Sequence, residues 1–382
     1  MLRPLGAPAS CWLCLGGCRT AGRPAPAAVH SGRREAELIS RRTFLILAAV
    51  VSLTVACGSG HCGRILWKHR CDGYTPALDS HDNTYVLSGS CVHCLDASGS
   101  LIWASPRVEG FDVSVGHDGT CYVAGYNGVV TAIDSAGTIK WQYDTGTAVY
   151  SLPHDSSSGT IVFGCSDNHV YGVSGTGNLL WTLPVKGEVK APPFFMGKDQ
   201  FVIGDKAGFL YLCTASGSIV WSIRTSGPIS AAATISPDGM IFVGNQDGEF
   251  YKVSSSGSVV WTYKAGDGIH CQARTDATGR VYFGCLDGCV YALDSAGALD
   301  WKFAAGDKVV STPLLTGGNL LLFGSVDGYQ YALNLDGTLK WRMKSAGPII
   351  SHSIIDSTGI VRFTGGGSAL FENAGVLYAV AP

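Results

Sequence analysis

Tryptophan recurs along this chain like a clock. Trp67, Trp103, Trp141, Trp181, Trp221, Trp261, Trp301 and Trp341 are spaced by 36, by 38 and then five times by 40 residues; only Trp12 falls outside the series. A fixed period in the range of about 20–50 residues marks one supersecondary unit repeated along the chain. Each unit carries a Gly-containing turn, a β-prone run, a second Gly turn, an aromatic-Gly segment and a Tyr-x-Leu-Asp-like strand before the next Trp. Residues 279–297, Gly-Arg-Val-Tyr-Phe-Gly-Cys-Leu-Asp-Gly-Cys-Val-Tyr-Ala-Leu-Asp-Ser-Ala-Gly, show it well. Asp247-Gly248, Asp287-Gly288 and Asp327-Gly328 sit between alternating apolar residues, the pattern of a tight hairpin whose two turn residues both take positive φ. Four short antiparallel strands per forty residues make a propeller blade. No segment downstream of residue 57 has helical periodicity.

The incomplete units fix the number of blades. Ile65-Leu66-Trp67 opens the repeat region with no strand triplet before it, and a triplet follows Trp341 with no ninth Trp. Eight Trp strands and eight triplets give an all-β, eight-bladed propeller over residues 64–382, with the strand around Trp67 completing the last blade. Such closure ties the N-terminal strand into the last blade and leaves only short outermost edges. Composition agrees: 51 glycines in 382 residues is nearly twice the usual share of roughly 7%. With 15% charged and 46% hydrophobic residues the chain is too apolar to be disordered.

The first 57 residues read as an address. Residues 1–56 hold seven arginines against two glutamates, so the formal net charge of −2 leaves −7 on the remainder. An acidic body is a poor match for a phosphate backbone, and nucleic acid is not expected as a partner. Residues 1–39 lack periodicity and read as a disordered or doubtful leader; translation is expected to start downstream at a non-Met codon, for example at Val29. Residues 40–57 combine Ser40-Arg41-Arg42-Thr43-Phe44-Leu45, an uncharged stretch to Ala56, and Thr54-Val55-Ala56-Cys57. A basic region, a short apolar region and small residues before a cleavage point make an export signal. The Arg41-Arg42 pair is similar to a twin-arginine signal, and the last four residues resemble a lipobox with Cys57 as the lipidated residue. An ordinary signal cut at Ala56 is the alternative. Residues 58–63 form a short linker.

The repeat aromatic-x-Gly-x-x-Asp-Gly-x-x-Tyr-Ala-Leu-Asp-x-x-Gly-x-x-x-Trp resembles the pyrroloquinoline-quinone-like propeller family, over about residues 64–382. No Trp-Asp dipeptide occurs, which sets it apart from the WD40 pattern. The resemblance implies one of two branches. Quinoprotein dehydrogenases usually clamp the quinone beneath a disulfide of adjacent cysteines and hold Ca²⁺ with acidic and amide oxygens; this chain has no Cys-Cys dipeptide and is shorter than those enzymes. The other branch, the BamB-like envelope lipoproteins, is non-catalytic. It implies a lipid-anchored, monomeric scaffold without cofactor, in the periplasm or at the cell surface, meeting envelope proteins such as the outer-membrane barrel-assembly machinery. Quinone or other small-ligand binding in the channel, and a polysaccharide-binding surface, are the alternatives, since fold alone does not decide function.

Candidate sites follow from the same arithmetic. Nine residues past the successive Trp lie Pro76, Asp112, Tyr150, Lys190, Ser230, His270, Val310 and Ile350. In phase, Asp112, Tyr150, Lys190 and His270 face the central channel or its mouth and could hold a small polar ligand; wet channel residues without a ligand are the plainer reading. Cys91-Val92-His93-Cys94 has metal-like spacing but lies on a strand, where residues three apart face opposite ways. Cys285 and Cys289 flank a hairpin turn, and both a cross-hairpin disulfide and buried thiols are open. The last blade breaks the clock with nine residues between Gly365 and Gly375. Leu370 and Phe371 in that insert are candidate partner contacts.

Overall fold

The computed structural model describes residues 63–366, except Gly73 and Lys198, together with residues 375–381. The export pair Arg41 and Arg42, the lipidation candidate Cys57 and the contact candidates Leu370 and Phe371 lie outside the described residues. Among the described residues there is no helix; eight four-stranded antiparallel sheets follow one another as blades. Seven are built from consecutive strands, as in blade 4: Phe194–Met196, Gln200–Gly204, Phe209–Thr214 and Ile219–Arg224, innermost to outermost. The eighth places the N-terminal strand Arg64–Cys71 outside Gly375–Ala381, Val361–Gly365 and Ile354–Ile355. It runs antiparallel from Arg64 opposite Ala381 to Cys71 opposite Gly375, the closure that the count of strands predicts.

Each strand reads as its place in the blade demands. The second strands are almost wholly buried runs such as Ile161–Gly164 and Val281–Gly284, as strands covered on both faces must be. The outermost strands alternate: Ile139–Asp144 is half-buried and exposed in turn. The Asp-Gly turns differ from expectation. Gly248, Gly288 and Gly328 have φ of 81–83°, whereas Asp247, Asp287 and Asp327 keep negative φ. The loop has three residues, closed by Gly248 N–H donating to the Asn245 carbonyl at 3.2 Å. A three-residue loop is a type I turn plus one left-handed glycine. The Asp side chain is thereby free to take a hydroxyl from the neighbouring strand. Asp287 and Asp327 accept the hydroxyls of Tyr291 and Tyr331 at 2.5 Å, as Asp167 at the same place accepts that of Tyr171. In blade 4 it is Asp205, two residues earlier in the turn, that takes the Tyr211 hydroxyl at 2.8 Å, and in blade 5 Tyr251 turns to Glu249.

The tryptophans couple neighbouring blades. Seven indole N–H groups donate to a carbonyl in the last turn of the following blade, at 2.8–3.2 Å, from Trp67 to Ala97 through Trp301 to Leu335. The glycine of that turn lies against the ring. A Cβ on Gly99, Gly137, Gly177, Gly217, Gly257, Gly297 or Gly337 would fall 2.5–2.9 Å from indole atoms, and all seven have φ of 81–87°. These glycines thus satisfy a left-handed turn and a close approach together. Trp341 faces the closing blade and is itself buried, at 5% exposure.

The closing seam also carries a charge lock. Arg362, fully buried, stands where the other blades place Tyr122, Val162 or Phe242 opposite their inner strands. Its guanidinium meets the Asp356 carboxylate at 2.7 Å and donates to the Asp82 carbonyl and Thr84 Oγ1 at 2.7 Å each, joining blade 8 to blade 1. It also lies over the Trp67 ring, 5.6 Å from the centroid.

Candidate functional site

The inner wall is legible from alternating burial. In blade 3, Ser151 and Pro153 are buried while Tyr150, Leu152 and His154 stay partly accessible; the same alternation holds at 190–194, 270–274 and 350–354. A strand's side chains point to opposite faces in turn, so the even-numbered set lines the axis. Hydrogen bonds between successive inner segments hoop this wall: Ser114 Oγ to the Pro153 carbonyl at 2.5 Å, Ser151 Oγ to Ala191 at 3.0 Å, and Thr234 Oγ1 to Ala273 at 2.6 Å. Thr312 N–H donates to His352 Nδ1 at 2.9 Å, and Thr364 Oγ1 to the Tyr74 carbonyl at 2.9 Å across the seam.

Tyr150, Lys190 and His270 share the outer tier of this wall, and Tyr150 and Lys190 touch: the ammonium sits 4.5 Å above the phenol ring. Phe111 and Tyr126 complete an aromatic side, with centroids 5.9 and 5.8 Å from Tyr150. Lys190 also meets Glu188 at 3.5 Å. Asp112 is not in this tier. The 38-residue spacing from Trp103 to Trp141 displaces the ninth-residue count by two. Strand pairing sets Ser114, not Asp112, opposite Tyr122, as His154 stands opposite Val162. Asp112 therefore lies one step deeper, bonded to Thr75. Burial pushes its carboxyl up to about 8, and hydrogen bonds from Val113 and Thr75 only partly offset this.

Sequence reasoning missed part of the mouth. Lys206 and Gln246 come from the turn between second and third strands, a separate 40-residue series that begins at Tyr126. Lys206 Nζ donates to Ser230 Oγ at 3.3 Å and Gln246 Nε2 to the same oxygen at 2.8 Å. Burial and then Lys190 hold the Lys206 ammonium below its ordinary range. His270 is pushed down to about 4, first by burial, then by Lys206; Asp267 opposes this and Lys308 adds to it. Deeper, Arg274 donates to Gln272 Oε1 at 2.6 Å, and His352 is pushed down to about 4 by burial and by Arg274.

The cysteine motifs have other surroundings. Cys91, Cys94, Cys285 and Cys289 are all free thiols. His93 bonds to His69 across the seam at 2.9 Å, and Cys285 Sγ donates to the Asp267 carbonyl at 3.1 Å. Among the described residues no three His, Cys, Asp or Glu side chains converge as a metal site. A groove of about 350 Å³, lined by Arg107, Glu109, Asn127, Thr131 and Gln142 among others, lies on the outer half of blade 2.

No curated protein matches the chain. Among solved structures, BamB from Moraxella catarrhalis superposes with a TM-score of 0.72 at 16% identity, covering 84% of this chain and 100% of that one. A europium-containing methanol dehydrogenase gives 0.69 at 13% identity, covering 84% and 93%. The quinohemoprotein alcohol dehydrogenase from Comamonas testosteroni gives 0.69 at 12%, covering 83% and 76%. At such identities these likenesses show the fold. The profile of the family described as outer membrane protein assembly factor BamB matches residues 54–189, 166–296 and 267–382, in windows that together run the length of the propeller. The chain belongs to this family of pyrroloquinoline-quinone-like β-propellers.

Proposed function

We propose that this protein is a non-catalytic, exported and lipid-anchored scaffold that binds other proteins at the cell envelope, in the service of outer-membrane protein assembly. The observation that carries the reading is the family match across the whole propeller, to a family described as an assembly factor. The rim of the propeller supports it. Outermost strands of blades 3, 4 and 5 expose the adjacent apolar pairs Leu179 and Leu180, Ile219 and Val220, Val259 and Val260, each residue 42–55% exposed. The residue before Trp is charged in blades 2, 6 and 7 (Lys140, Asp300, Lys340). Blade 1 exposes a fourth pair, Leu101 and Ile102, each 52% exposed, and the other three fall on consecutive blades. Contiguous exposed apolar surface on a rigid frame suits protein contact, and the outermost strands offer edges for it. Export would run through Arg41 and Arg42, and anchoring through Cys57.

The residues at the axis do not fit the quinone-and-calcium pair of the dehydrogenase branch. Calcium takes six to eight oxygen ligands, whereas the mouth presents Lys190, Lys206, His270 and Gln246, with the Glu188 carboxylate taken up by Lys190 and that of Asp267 by the Gly268 N–H. Affinity capture from detergent-solubilised envelope, read by mass spectrometry, tests the scaffold reading. Recovery of barrel-assembly components is expected. Recovery of no envelope protein contradicts it.

A further inference from the structure

The geometry points to a binding site for a small multivalent oxyanion at the axial mouth, formed by Lys206, Ser230 and Gln246 with Lys190 and Lys308 on either side. Ser230 Oγ accepts from Lys206 and from Gln246, which uses both of its lone pairs. Its own proton is used in neither bond and is left to donate. Lys206 and the second amide hydrogen of Gln246 add further donors around the same atom. Ionised oxyanions take such donors as short, charge-assisted bonds.

The placement of charge agrees. The body of the chain is acidic by seven charges outside the leader, yet at this mouth three ammonium groups gather. Lys190 bears on Lys206, and Lys206 and Lys308 both bear on His270. Three carboxylates stand among them, one of them Asp307, which accepts the Lys308 N–H at 2.7 Å. Glu188, 47% exposed, meets Lys190 at 3.5 Å, and Asp267 accepts the Gly268 N–H at 2.7 Å. Among the described residues no acid lies within ion-pair distance of Lys206 or Lys308. Half-buried like charges repel one another; Glu188 offsets the effect of Lys190 on Lys206 only in part, and a bound anion relieves the rest while a walled mouth concentrates the field. This site is independent of the scaffold reading: a chain that captures no envelope protein would still possess it.

The test is titration of the full propeller with inorganic phosphate in a non-coordinating buffer, read by calorimetry and by the His270 ring resonances. One phosphate per chain is expected, with Kd of about 1 mM or tighter, weakening as salt rises. Binding is expected to raise the His270 pKa, because a nearby negative charge favours the imidazolium. Lys206→Met and Ser230→Ala, with melting curves confirming the fold, are expected to weaken binding by roughly tenfold or more, equivalent to about 1.4 kcal/mol. Lys140→Met, which removes an equal charge from the rim, is expected to leave it unchanged. Absence of saturable binding to about 50 mM phosphate, retention of full affinity in both mouth variants, or equal weakening by Lys140→Met overturns the assignment.

Discussion

Gly217 and Gly239 both have left-handed backbone, with φ of 84° and 79°, and differ in what surrounds them. A Cβ on Gly217 would lie 2.6 Å from the Trp181 ring, whereas one on Gly239 meets nothing within 4 Å. Gly239→Ala is expected to cost about 1 kcal/mol, the backbone penalty alone. Gly217→Ala is expected to cost about 2–4 kcal/mol, because overlap with the indole is added; urea denaturation of the pair separates the two contributions. The axial titratable residues make opposite demands on pH. Asp112 has its folded pKa raised to about 8, so the folded state binds more protons than the unfolded chain from about pH 4 to 8, and this contribution to stability is lost as pH rises through that window. Asp112→Asn, which keeps an acceptor for Thr75, is expected to stabilise the fold at pH 8 by on the order of 1–3 kcal/mol and by little at pH 4. His270 and His352, pushed down to about 4, act in the other sense: the unfolded chain binds the extra protons, so stability falls as pH drops from about 6.5 to 4. His352→Asn is expected to flatten that acid limb, as followed by melting temperature against pH.

The seam between blade 8 and blade 1 is the element on which closure depends. Removing Arg362 strands a buried Asp356 carboxylate and frees the Asp82 carbonyl. Arg362→Met is therefore expected to destabilise by about 3–5 kcal/mol, with the double change Arg362→Met and Asp356→Asn recovering much of the loss, because no lone buried charge remains and the acceptor for Thr358 and Ile360 is kept. Denaturant unfolding of the three proteins measures this. Arg362 also shows where periodic reasoning stops. The Trp and Gly spacings make blade number and the closing strand readable, because a repeat exposes what every unit shares. Arg362 is a single departure from that repeat, and its partners Asp82 and Thr84 lie about 280 residues away in sequence, so its role follows only from the ring being closed. The Asp-Gly turns are readable as turns but not in type, since a three-residue loop and a two-residue loop share the same dipeptide. Asp112 falls one tier from its expected place for a comparable reason: a two-residue contraction in one unit shifts the count from its Trp. Lys206 and Gln246 approach Ser230 from a different turn, and no spacing from Trp connects them until the blades are assembled.

At the scale of the whole molecule, one frame separates two surfaces. The axis holds a polar wall hooped by hydrogen bonds between blades, while the rim of blades 3–5 exposes apolar pairs on outermost strands. The scaffold account assigns protein contact to the rim, so the rim should tolerate charge without loss of fold. Leu180→Lys, Val220→Lys and Val260→Lys combined copy the lysine that blade 2 carries at Lys140 and blade 7 at Lys340. Each is expected to change stability by no more than about 0.5 kcal/mol, as exposed positions usually do. Membrane fractionation of Cys57→Ser is expected to release the protein from the membrane, which checks the anchor separately from the rim. The most direct measurement is crosslinking in living cells followed by mass spectrometry, with the natural chain beside the triple rim variant at equal abundance. The account predicts that the natural chain is crosslinked to barrel-assembly components and that the rim variant, folded and exported, loses them. Crosslinks to no envelope protein, or crosslinks that survive unchanged in the rim variant, would contradict it.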